Sequence, residues 1–239
     1  MHIYFTIVIF VIGTTIASFL NALLYRIDNG YKYPEIFIKG SHCEKCSKQL
    51  SWYELIPIIS FVIFRGRCKQ CGYKVPLYYP VSEFFLGLSF ASSFYFQQNW
   101  SIYILIIFLF TFSYFDRIYK GIQKDLVHIF LGFALVSFVI NTVVIGELPA
   151  NSILFSLILA LFIYLLTKLL RKPFGIGDIL VLIGMGFILP IYIYIGFIYT
   201  FLLTSLIYAL IMICLKKATL KTSMPLLPFM YISFGITIL

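Results

Sequence analysis

Eight apolar runs, at residues 3–24, 81–97, 101–116, 126–145, 152–168, 179–190, 192–215 and 224–239, divide this sequence and constrain its fold more than any other feature. A helix needs ~20 predominantly apolar residues to cross a hydrocarbon core ~30 Å thick. Only 11% of the 239 residues are charged and mean hydropathy is +1.00, so the chain lacks the polar shell of a soluble domain this size. The expectation is an all-α polytopic membrane protein with about eight transmembrane helices. The 179–190 run is short and ends at Pro190, and six or seven spans follow if some segments are re-entrant. The first run is expected to remain as an anchor. No basic region precedes it, and Tyr25-Arg26 stands where a signal peptide would have its small-residue cleavage site.

Charge orients the spans. Nine of the 18 basic residues lie between Arg26 and Lys74; the rest fall as Arg117, Lys120 and Lys124, as Lys168, Arg171 and Lys172, and as Lys216, Lys217 and Lys221. These groups occupy alternate loops, and the connections between them (97–100, 146–151 and the turn near Pro190) carry no Lys or Arg. Cytoplasmic loops concentrate Lys and Arg, so both termini are expected outside, with the basic loops in the cytoplasm. The net charge of +9 follows from that rule and from anionic lipid, and lends no support to nucleic-acid binding. No internal repeat is evident.

Residues 27–80 form a polar loop too long for a simple connector, which suggests three parts: a first transmembrane segment (1–26), a cytoplasmic loop domain (27–80) and a transmembrane domain (81–239). Four of the five cysteines fall in the loop as Cys43-Glu-Lys-Cys46 and Cys68-Lys-Gln-Cys71, with 21 residues between the pairs. Two C-x-x-C knuckles at this spacing resemble a zinc ribbon, in which four thiolates close a tetrahedral shell. A loop of this size has too little core to fold unaided, and a metal supplies the missing energy. Gly72 suits the tight turn of the second knuckle. Two disulfides or a redox pair are the alternatives; a reducing compartment disfavours structural disulfides. His42 is a competing ligand or a surface histidine, and Cys214, alone in an apolar run, reads as a small packing residue.

Nine acids exist in the chain. Four lie in the cysteine loop, Glu147 is expected outside, and Glu83, Asp116, Asp125 and Asp178 stand in or at the ends of apolar runs. Ionisable groups there are expensive and mark functional candidates. Asp116 and Asp178 are both expected at the cytoplasmic face, where two carboxylates sharing a site keep one proton between them. Aspartic-protease chemistry requires that state: one carboxylate takes a proton from water while the other polarises the scissile carbonyl. Gly175 and Gly177 would let substrate and backbone approach closely. The plainer reading makes Asp178 and Asp125 helix N-caps. Asp116, ending a helix, escapes that reading because the macrodipole disfavours negative charge there. Glu83 either orients the loop against the second span or snorkels at a helix start.

On these residues the chain resembles the type IV prepilin peptidase family, the competence-type enzymes in particular. Ser18-Phe19-Leu20-Asn21 with Tyr25-Arg26 is similar to the end of that family's first span. The loop is similar through Cys43-x-x-Cys46, Leu55-Ile56-Pro57-Ile58-Ile59-Ser60, Arg65-Gly66-Arg67-Cys68-x-x-Cys71-Gly72 and Tyr79-Pro80-x-x-Glu83. Gly175-Ile176-Gly177-Asp178 matches the family's G-x-G-D signature, and Pro225-x-x-Pro228-Phe229 resembles its last span. The resemblance implies Asp116 and Asp178 as the catalytic pair of an intramembrane aspartic peptidase. Its substrate would be a prepilin or competence pseudopilin, with a basic leader and an apolar helix, cut at the cytoplasmic membrane edge. For many members the resemblance also implies N-methylation of the new terminus from S-adenosylmethionine, although no glycine-rich fingerprint for that cofactor is present. Gln123 and Lys124 stand where the family often has Pro and Asp or Asn, with Asp125 one later. Leu180 stands where it has Lys, and Ala17 where it has Gly. A methyltransferase or scaffold with structural aspartates, and a proton-coupled transporter, are the competing classes; a transporter would carry more charge at mid-membrane depth.

Overall fold

The computed structural model describes residues 2–146, 149–170, 175–215 and 225–238. Glu147, placed outside by charge, and the basic residues Arg171, Lys172, Lys216, Lys217 and Lys221 lie outside the described residues, as does part of the 146–151 connection. Among the described residues the regular structure is helical: α1 His2–Asp28, α2 Glu35–Ile38, α3 Ile59–Ile63, α4 Tyr78–Tyr95, α5 Trp100–Tyr119, α6 Lys124–Ile140, α7 Ala150–Leu170, α8 Ile176–Ile188, α9 Ile191–Cys214 and α10 Leu227–Thr237. Every expected apolar run is a helix. Five, namely α1, α5, α6 with the π turn that follows it, α7 and α9, are long and apolar enough to cross a membrane; α8 and α10 are shorter apolar helices. The expectation of eight full spans therefore rests on three helices that are too short or too polar to qualify, because length and not only hydropathy decides a crossing.

The chain divides into two compact units, Met1–Gln98 and Asn99–Leu239. In the first, α1 and α4 pack along their lengths and the cysteine loop joins them. Asn21 of α1 donates from Nδ2 to Ser82 Oγ of α4 at 2.9 Å, and the Ser82 hydroxyl donates in turn to the Tyr79 carbonyl. In the second unit α5 packs on α10, α10 on α9, and α8 lies against α6 and α7. The glycines of α8 permit that last arrangement. A Cβ on Gly184 would meet the Phe130 ring of α6 at 2.5 Å, and one on Gly186 would strike Ser156 of α7. Small residues at such contacts let helices approach where lipid offers no hydrophobic driving force between them. Tyr194 is fully buried and donates its hydroxyl to the Leu182 carbonyl at 2.9 Å, tying α9 back to α8. The outer faces of α7 and α9 remain apolar and exposed, as lipid-facing surfaces are.

Candidate active site

Asp116 lies in the last turn of α5 and is buried, at 6% exposure. Its backbone carbonyl accepts from Lys120 N, where the left-handed Lys120 ends the helix. Its side chain turns to α10. The Leu227 backbone N–H donates to Asp116 Oδ2 at 3.1 Å, and the Leu226 N–H also bonds the carboxylate. Those donors are the unsatisfied amides of a helix start, which favour a negative partner. Pro228 in the first turn of α10 suits a helix that begins there. The Pro225-x-x-Pro228 pattern was thus a visible sign of a helix start, but its amides as partners of Asp116 were not legible in the sequence.

Asp178 lies in the first turn of α8, half-buried. It does not cap that helix; Gly175 holds the N-cap position with no side-chain bond, and Gln123 holds it on α6 ahead of Asp125. The N-cap reading of Asp178 and Asp125 therefore fails, since both stand inside the helices they were expected to cap. Asp116 and Asp178 stand in the same unit, on helices α5 and α8 that touch. Asp125 is exposed on the first turn of α6. Gly175 and Gly177 shape the approach. A Cβ on Gly175 would lie 2.7 Å from Asp178 Oδ2, and one on Gly177 would lie 3.0 Å from Ile122 Cδ1 in the α5–α6 connection. Ile122 is a neighbour of the signature that spacing gave no reason to suspect.

The four loop cysteines meet in the first unit. Their sulfurs lie within 4.8 Å of one another, with Cys43–Cys71 at 3.8 Å and Cys46–Cys68 at 3.9 Å. Four thiolates ~2.3 Å from a tetrahedral zinc stand ~3.8 Å apart, so the set fits such an ion, and all four thiols are unbridged. The backbone N–H groups of Cys71 and Gln70 hold the Cys68 thiol down to about 6. At Cys46 a Lys48 N–H acts the same way but is outweighed by burial and the neighbouring thiols, which push it up to about 11. Thiols this close cannot all ionise unaided. A divalent cation removes the conflict.

The two knuckles are copies of one turn. Cys43 N bonds Lys48 O and Ser47 N bonds Cys43 O; 25 residues on, Cys68 N bonds Tyr73 O and Gly72 N bonds Cys68 O. Isolated bridges close both, His42 with Gln49 and Arg67 with Lys74. Ser47 and Gly72 occupy the same left-handed position. This is an internal repeat of backbone geometry, invisible to a search for repeated side chains because few positions beyond the cysteines match. Glu83 is buried in α4, and its Oε2 accepts from Ile58 N at 2.8 Å. Ile58 has φ +60° and ψ −51°, the strained form of γ-turn. Glu83 thus holds the loop to the helix, the first of its two expected roles.

Residues 11–97 match the Bacterial Peptidase A24 N-terminal domain, nearly the extent of the first unit. The chain is 36% identical over 88 residues to a prepilin leader peptidase/N-methyltransferase of Myxococcus xanthus, covering 36% of this chain and 25% of that protein. It is 33% identical over 86 residues to one of Bacillus subtilis, covering 36% and 34%. A third, from Stutzerimonas stutzeri, aligns over 98% of this chain and 90% of its own length at 25% identity. The matched stretch thus spans only about a quarter to a third of the first two relatives. No solved structure matches the chain. Over residues 11–97 the chain is thus similar to the Bacterial Peptidase A24 N-terminal domain, and there it also resembles proteins named prepilin leader peptidase/N-methyltransferase.

Proposed function

We propose that this chain is a prepilin leader peptidase, cutting the leader of a type IV prepilin or competence pseudopilin at the cytoplasmic edge of the bacterial inner membrane. What supports this reading is that Asp116, buried at the end of α5, and Asp178, at the start of α8, lie in one unit on helices that touch. Asp116 is held by amides of the α10 start, an arrangement suited to the charged partner. In the mechanism Asp116 takes a proton from water while protonated Asp178 donates to the scissile carbonyl. The attacking oxygen adds to that carbonyl carbon, and the proton then passes to the leaving amine, which becomes the new N-terminus. Gly175 and Gly177 keep the carboxylate accessible to an extended substrate backbone.

The loop cysteines would hold one structural zinc, which fixes the 27–80 loop beside α1 and α4. The three relatives described above all carry N-methyltransferase in their names, and N-methylation of the new terminus from S-adenosylmethionine is the second activity we assign. Both termini lie outside in this reading, and the basic loops face the cytoplasm. Co-expression with a prepilin tests the assignment: wild type should release the leader, while Asp116→Asn and Asp178→Asn at normal protein levels should not. Leader removal by either variant overturns the catalytic pair.

A further inference from the structure

Within the polar loop one stretch, Leu55-Ile56-Pro57-Ile58-Ile59-Ser60-Phe61-Val62-Ile63-Phe64, carries no charge. It is too short to cross a bilayer, and has the length of a core helix or of a segment that dips into the membrane and returns. The two sides of α3 divide those roles. Ser60, Phe61 and, just past the helix, Phe64 line a cavity inside the first unit. Ile59, Val62 and Ile63 stand 55%, 68% and 64% exposed. Residues three and four apart share a helix face, so these three make one exposed apolar stripe.

The depth of the stripe follows from Glu83. Its carboxylate accepts the Ile58 N–H at 2.8 Å and is also bonded by Ser18 of α1. Ser18 stands eight residues before Arg26, the first Lys, Arg, Asp or Glu of α1, a rise of ~12 Å. Tyr79, at the start of α4, donates its hydroxyl to Glu44 of the first cysteine knuckle, and Glu83 lies a turn further in. The start of α3 is therefore level with the apolar body of α1, a helix long and apolar enough to cross a membrane. Phe19 of α1 and Val81 and Phe84 of α4, next to these contacts in sequence, are exposed as well. Non-helical backbone at such a depth needs its polar groups met by protein. The donors entering α3 are so met: Ile58 N by Glu83, Ile59 N by Pro57 O and Ser60 N by Ile56 O, while Pro57 has no N–H.

The chain leaves α3 through charge of one sign. Arg65, Arg67, Lys69 and Lys74 are all exposed, and residues 65–74 hold no acid. Anionic headgroups attract basic segments beside a membrane, and long basic side chains keep their heads at the interface while apolar neighbours go deeper.

We propose that α3 is a lipid-embedded wedge. Ile59, Val62 and Ile63 lie among acyl chains, and Arg65, Arg67 and Lys69 lie on the anionic headgroups of the same leaflet. The cysteine loop is thereby seated on the bilayer, whatever reaction the second unit performs.

The test uses the full chain, metal-loaded, in vesicles of phosphatidylglycerol and phosphatidylethanolamine at a protein density too low for chains to meet. Trp52→Phe and Trp100→Phe remove both native tryptophans. In that background Val62→Trp and, separately, Ile63→Trp report on the stripe, and Lys45→Trp reports on the exposed first knuckle. Metal content equal to wild type shows that each variant is folded. Emission from positions 62 and 63 should be blue-shifted, largely lost to brominated phospholipid and spared by aqueous acrylamide; position 45 should show the reverse. Arg65→Glu with Arg67→Glu should raise acrylamide quenching at position 62. Quenching of both stripe positions by acrylamide and not by brominated lipid places the stripe in water and overturns the wedge. Protection of both from both quenchers places protein over it and overturns the wedge equally. Quenching at position 62 that ignores the double charge reversal overturns the assignment of the cations to headgroups.

Discussion

The two units solve the problem of holding reactive groups by opposite means. In the first, the cysteine loop has few buried side chains, and two backbone turns bring four sulfurs together for an ion to lock. In the second, Asp116 and Asp178 are placed by helix packing alone: α10 reaches Asp116, and the glycines of α8 seat that helix between α6 and α7. The first arrangement should be fragile to chelation and tolerant of side-chain change away from the sulfurs. The second should be indifferent to metal and sensitive to single methyl groups. Each prediction below tests one side of that contrast.

The largest effect belongs to the carboxylates. Asp116→Asn or Asp178→Asn should slow leader cleavage by ~10²–10⁴-fold, the range of general acid–base groups, while the zinc content measured by mass spectrometry stays near one per chain. Metal removal should do the reverse. Chelation, or Cys43→Ser with Cys68→Ser, should expose 27–80 to limited proteolysis, because such sites supply folding energy outright. Fragments from the second unit should stay protected. A second unit that unfolds with the metal would break the comparison.

A single methyl group comes next. Gly175→Ala puts a Cβ 2.7 Å from Asp178 Oδ2 and should lower cleavage about tenfold or more without changing thermal stability. Gly177→Ala should cost less, since its Cβ would meet only the end of the Ile122 side chain, which can rotate.

The smallest effect is a pH dependence in the first unit. A Ser51 N–H, and then the Lys48 ammonium at 3.1 Å, hold the Glu54 carboxyl below its ordinary 4.5. A lowered folded value gives stability that is full above the unfolded value and is lost as pH falls through the folded one. The melting difference between wild type and Glu54→Gln should therefore be constant at neutral pH and shrink below about 4.5. It should be well under the effect of metal removal, as surface pairs are.

Much of this was legible in the sequence, and the reasons differ by region. Cys43, Cys46, Cys68 and Cys71 declare their site because metal chemistry fixes both residue type and spacing. The helices are legible because lipid demands long apolar runs. The number of full crossings was not, since α4, α8 and α10 are apolar in pattern yet short or polar in sum. Asp116 and Asp178 could be singled out as charges in apolar surroundings. Their partners could not, because Leu226, Leu227 and Ile122 contribute a backbone amide or a methyl group, which any residue type can supply.

The brevity of α8 has a mechanical consequence. Its 13 residues rise only ~20 Å against a hydrocarbon thickness of ~30 Å, so with one end at an interface the Leu189-Pro190 corner would stop short of the other. Backbone polar groups in that corner must be satisfied by protein, and two of them are: Leu189 N bonds Met185 O, and Tyr194 N bonds Pro190 O. A helix anchored from inside does not answer to acyl-chain length as a full span does. In thicker or thinner bilayers α1 and α9 should tilt to relieve mismatch, while the depth of Asp178 follows the corner beneath it. Under the proposed function the two carboxylates would then carry their own reference level, measured from the protein's interior and not from the membrane surface.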